Sequence, residues 1–109
     1  MNAMNFQGDN APYYHDITIK DIRIENHHGH NRTGVDGLAH IFSLEGHFDN
    51  ISVSSVQYTG TNPPSSLNGI NGGISNVSFN HCKNDAGPIT QDSDWDLTRS
   101  GTVSGVSYT

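Results

Sequence analysis

The chain has 109 residues, a formal charge of −6 and 15% charged residues, which bounds it to one small domain with a thin core. Five Lys and Arg against eleven Asp and Glu leave no clustered positive charge, so nucleic acid and anionic membrane are excluded as partners. Twelve Gly, many Asn, Ser and Thr, and no 3.6-residue apolar period exclude a helical bundle and point to an all-β fold.

Met1 to Asn10 is polar and irregular and reads as a lead-in. Tyr13-Tyr14 then opens a stretch whose apolar residues fall at Ile17, Ile19, Ile22 and Ile24: alternation, a skip of one, alternation again. On a flat strand the second pair would face away from the first. A corner at Lys20-Asp21 returns all four to one interior. The same pattern recurs at Asn50 to Tyr58, at Asn76 to Cys82 and, more weakly, at Val103 to Tyr108. Aligning Ile19, Val53, Phe79 and Val103 gives steps of 34, 26 and 24 residues, the range of a stacked repeat. In that register Ile22, Val56, Cys82 and Val106 stack, as do Tyr14, Phe48 and Ile74. Asp16, Asn50 and Asn76 form a column before the first inward residue, where Asx side chains suit tight corners and bond to neighbouring coils.

The intervening segments read as loops and return legs. His27 to Gly37 is a His- and Gly-rich loop that absorbs the longer first step. Leu38 to Leu44 is the first return leg. Thr59 to Ser66, with Pro63 and Pro64, forbids a continuing ladder. Leu67 to Ile70 is the second return leg, with Leu44 and Ile70 in register, and Asn84 to Pro88 is a turn. Ile89 to Leu97 is the third return leg, carrying Trp95 inward and Asp92, Asp94 and Asp96 along a solvated acidic edge, the plainer alternative to a Ca²⁺ site. The expected fold is a short right-handed parallel β-helix of about three coils plus a final strand, residues 1–109 forming one module. A Greek-key sandwich tolerates the strand spacing but leaves the Asx column unexplained. Disorder, suggested by a mean hydropathy of −0.57, leaves the aligned apolar columns unexplained.

The segments "DITIKDIRIEN", "IFSLEGHFDNISVSSVQYTG", "GGISNVSFNHCKNDAGP" and "SGTVSGVSYT" resemble the late coils of the pectin-lyase-like right-handed β-helices, and within them the polygalacturonase-type glycoside hydrolases. The resemblance implies a secreted or cell-surface protein that processes pectin or another polysaccharide. It carries over no catalytic residue. The family's Asn-x-Asp, paired Asp-Asp, Gly-His-Gly and Arg-Ile-Lys motifs are absent: Gly29-His30 lacks the second Gly, and "IRIEN" has Glu25 where Lys is required. The expectation is a C-terminal portion of a longer β-helix, inactive alone, whose partners are a polysaccharide and either upstream coils or a second copy at the N-terminal coil edge. The rival is a non-enzymatic glycan-binding or structural module of a spike, adhesin or surface protein.

Side-chain chemistry agrees on the missing catalysis. Inverting hydrolysis needs two carboxylates about 6.5–9.5 Å apart, which outward columns of acids on neighbouring coils could supply. The columns Lys20-Ser54-Asn80-Ser104, Asp21-Ser55-His81-Gly105 and Arg23-Gln57-Lys83-Ser107 hold at most one carboxylate each. His28, His30 and Arg32 are the candidate substrate-binding residues, since Arg forks to carboxylates and His bonds hydroxyls either way. His27, His28 and His30 are candidate ligands for Zn²⁺ or Cu²⁺, against the plainer alternative of a polar loop with no cofactor. Cys82 is expected as a small buried hydrophobe.

Overall fold

The structure is a computed structural model that describes residues 2–7, 13–26, 40–60 and 65–109. It is all-β. Seven strands run in order: β1 (Asn2–Gln7), β2 (Tyr13–Asn26), β3 (His40–Gly60), β4 (Ser65–Asn80), β5 (Lys83–Asn84), β6 (Gly87–Pro88) and β7 (Leu97–Tyr108), with a 3-10 turn at Asp92–Trp95 before β7. The sheet curls into a half-barrel. No helix of the described residues is long and apolar enough to cross a membrane.

The long strands stack parallel and in register: β2 on β3, β3 on β4, β4 on β7. Ile17, Ile51, Val77 and Val106 form one column, and Ile19, Val53, Phe79 and Tyr108 the next. The corners fall where the skip in the pattern required them. Asp16, Asn50 and Asn76 have φ of 57°, 57° and 55°, and Asp21, Ser55 and His81 have φ of 58°, 53° and 55°. This left-handed conformation costs most residues about 1–3 kcal/mol, and Asn and Asp the least. Each corner turns the next pair of alternating residues back toward the same interior. The core formed there holds Val53, Val77, Phe79, Leu67 and Phe42, all fully buried. Trp95 closes it from the C-terminal side, edge-on to Phe79 with ring centroids 4.8 Å apart.

Four expectations are corrected. Met1 to Asn10 contains a strand rather than an irregular lead-in: β1 pairs parallel with β3 from Asn2↔His40 to Gln7↔Glu45. Polar alternation concealed it. Leu44 pairs with Leu67, not Ile70, because β4 inserts three extra residues between Gly69 and Ile74 relative to Gly46 and Phe48. The strands β4 and β7 approach so closely here that a Cβ added at Gly69 would lie 1.9 Å from the Thr102 carbonyl oxygen. The last strand is shifted by five residues: Val103 pairs with Ile74, Val106 with Val77 and Ser104 with Ser75, so Tyr108 rather than Val103 stacks on Phe79. The pattern repeats itself every five residues, so both alignments satisfy the apolar spacing. The shift is settled by Tyr108, whose ring lies 5.1 Å from Phe79 while its hydroxyl donates to Asp92 at 2.7 Å. Finally, Asp92, Asp94 and Asp96 do not share a strand edge. Asp92 and Asp94 lie in the 3-10 turn, and Asp96 caps it at φ 54°.

Candidate functional site

His27, His28, His30 and Arg32, the substrate- and metal-binding candidates, lie outside the described residues. Among the described residues no group of three or more His, Cys, Asp or Glu is arranged to hold a metal ion. The chemistry that the fold assembles lies instead where β2 and β3 enter their first left-handed corner.

The parallel register places Tyr13 beside His47 and His15 beside Asp49. Their side chains meet on the outward face. Tyr13 lies 4.4 Å from the His47 ring and 4.8 Å from the His15 ring, and is 49% exposed. His47 in turn packs on Gly72, where an added Cβ would come within 2.6 Å of its Nδ1. Gly72, at φ 130°, is therefore the floor of a stack that climbs through His47 to Tyr13 across the three strands β4, β3 and β2.

The same corner supplies the polar partners. Asp49 accepts from the Ser75 hydroxyl at 2.8 Å, the Asn76 amide at 2.8 Å and the Tyr13 hydroxyl at 3.2 Å. Asp16 accepts from the Asn50 amide at 2.6 Å and from His15 at 2.8 Å. Within the Asx column Asn50 bonds to Asp16, while Asn76 bonds to Asp49, one residue off the column, and the two acids so held also fix the rings. Hydrogen bonds from Ser75 and Asn76 hold the Asp49 carboxyl below its ordinary pKa, and bonds from Asn50 and His15 do the same for Asp16. Both are ionised at neutral pH. Solvent loss and the nearby Asp49 charge raise the Tyr13 phenol, which stays protonated and keeps donating.

Two other clusters lie apart from this corner. Asp92 holds Arg99 in a two-pronged pair, at 2.7 Å and 3.0 Å, and accepts from Tyr108, which Trp95 also reaches at 3.3 Å. Burial raises the Asp92 carboxyl, but the bonds from Arg99 and Tyr108 outweigh it and leave the group ionised. Burial followed by the Asp92 bond pushes the Tyr108 phenol up. These bonds fasten β7 over the core, and Asp92, Arg99 and Tyr108 also border a cleft of about 450 Å³ with Thr90, Gln91 and Ser93. A cleft of about 460 Å³ lined by Ser55, Gln57, His81, Lys83 and Pro88 reaches Cys82. That thiol is 1% exposed and donates to the Val53 and Asn80 carbonyls, each at 3.7 Å. Burial raises its pKa, so it is a poor nucleophile.

None of Tyr13, His15, His47 or Asp49 was singled out in the sequence. The signal was present: "YYHD" and "HFDN" occupy one register position, so three rings (Tyr13, His15, His47) and one acid (Asp49) share its outward side. The outward columns after the corner, which hold at most one carboxylate each, do not include these positions. No family model, curated protein or solved structure matches the chain.

Proposed function

We propose that the chain is a right-handed β-helical module of a polysaccharide-processing protein, acting outside the cell or at its surface, and that it holds glycan without cleaving it. The observation that carries this reading is the exposed Tyr13 ring, braced by His47 and His15 beside a ladder of carboxylates and amides. Sugar rings present C–H faces that pack on aromatic rings and hydroxyls that bond to carboxylates and amides, so this combination suits them. The resemblance to polygalacturonase-type coils supports the same substrate class. Hydrolysis is a poor fit, because an acid and a base must differ in protonation. Asp16 and Asp49 are both held ionised, which leaves neither able to donate a proton.

A second reading, a structural module that extends a stack, draws on the sheet edges. Among the described strands, β2 pairs only with β3, and β7 only with β4, so each presents an open edge. A further coil or a second copy could pair there.

Co-sedimentation with insoluble cell-wall polysaccharide separates the two. Retention lost in a folded Tyr13→Ser/His47→Ser variant, with no reducing ends released, supports the glycan reading. Retention unchanged by the variant would overturn it.

A further inference from the structure

The resemblance to polygalacturonase coils implies an anionic, uronate substrate, but the charges around the Tyr13 face imply a different one. Recognition of a uronate calls for a cation, ideally a guanidinium that forks to the carboxylate. The described lysines and arginines are placed elsewhere: Arg99 is engaged by Asp92, Lys20 and Arg23 lie beyond the Asp16 corner on β2, and Lys83 lines the Cys82 cleft. None makes a hydrogen bond or ring contact with Tyr13, His15, His47, Asp16 or Asp49 among the described residues.

What borders the rings is negative. Asp49 takes bonds from Ser75, Asn76, Tyr13 and the Asn50 backbone, which saturates the roughly four acceptor positions of a carboxylate. Asp16 takes two, from Asn50 and His15, and its side chain is 63% exposed. It therefore keeps acceptor positions directed at solvent beside the ring stack. Those positions suit donors such as sugar hydroxyls and repel a ligand carboxylate at a distance of a few ångströms. The overall charge of −6 adds to that repulsion at low salt.

We propose that the Tyr13–His47 stack on Gly72, together with the Asp16 carboxylate, forms a subsite for an uncharged sugar ring, so that the ligand is a neutral polysaccharide and not a polyuronate. The ring packs on the Tyr13 face while its hydroxyls donate to Asp16. Gly72 is a positioning residue: it sets the height of His47 and thereby of Tyr13. The inference rests on the glycan reading above but is narrower than it.

Affinity electrophoresis in gels carrying β-glucan, galactomannan, arabinogalactan or polygalacturonate tests it at pH 7 and low salt. At least one neutral polysaccharide should retard the protein, and polygalacturonate should not. Tyr13→Ala should weaken the retardation about tenfold or more. Gly72→Ala should also weaken it, with a circular dichroism spectrum like that of the unaltered protein. Gly72→Ser, with the same backbone strain and a larger side chain, should weaken it at least as much. Asp16→Asn retains the corner conformation and should relax the discrimination against polygalacturonate. Tyr13-dependent retardation by polygalacturonate with none by neutral polymers would overturn this inference and leave the glycan reading intact. No retardation by any of the four would overturn both.

Discussion

Single residues do two separate jobs along each strand, and alternation alone decides which. Val53 is fully buried between Ile19 and Phe79, whereas Ser54, one step on, is half-buried on the outward side. Val53→Asp would bury an unpaired carboxylate at a cost of several kcal/mol, against a total stability of about 5–15 kcal/mol. Thermal melts should show this variant unfolded and Ser54→Asp nearly unchanged; equal sensitivity of the two would mean that the register is wrong. Residue roles of this kind were legible, since the skip between Ile19 and Ile22 dictated a corner and the structure puts Asp21 in the left-handed region. The partners of the corner residues were less legible. Asp16 and Asn50 could be aligned from the sequence, but that Asp49 would collect Ser75, Asn76 and Tyr13 depends on side-chain direction, which apolar spacing does not encode.

At the scale of the element, the five-residue period both builds the cornered strands and obscures their register. Val103, Val106 and Tyr108 have the same spacing as Phe48, Ile51 and Val53 and as Val53, Val56 and Tyr58. Pattern alone cannot choose between these alignments. Packing chooses, because Tyr108 in the lower position both covers Phe79 and reaches Asp92. A crosslink can check the choice in a Cys82→Ala background. Ser78→Cys/Ser107→Cys should form a disulfide in high yield, since those residues face each other on neighbouring strands. Ser78→Cys/Thr102→Cys is the pair that a 24-residue step would bring together, and it should stay reduced; the reverse outcome would restore the register read from spacing. The strand β1 was illegible for a related reason: its apolar residues are few, and only its pairing with β3 reveals it.

The whole molecule has two unequal ends. At the β7 end the column of Leu44 and Leu67 finishes in Arg99, whose guanidinium is pinned on Asp92, and Trp95 is fully buried beneath. A charge in an inward column is one way in which an edge is protected from further pairing. At the β2 end Ile17, Ile22 and Ile24 are partly buried, as Val103, Val106 and Tyr108 are at the β7 end, but Tyr14 is 38% exposed and no charge interrupts the inward positions Tyr14, Ile17, Ile19, Ile22 and Ile24. Self-association should therefore occur through β2. Light scattering after size-exclusion chromatography should find a dimer that Ile17→Lys disrupts and Val106→Lys, in a folded protein, does not; a monomer at high concentration would remove the β2 edge as a contact.

The same parallel stacking that leaves those edges also brings Tyr13, His47 and Gly72 from three strands to one outward face, where glycan is proposed to bind. The most direct test of that binding is a nuclear magnetic resonance titration of the histidine and tyrosine ring signals with a soluble neutral oligosaccharide. The account predicts saturable shifts at Tyr13, His15 and His47, with His81 in the Cys82 cleft unmoved. Shifts confined to His81, or no ring shifts up to millimolar ligand, would contradict it.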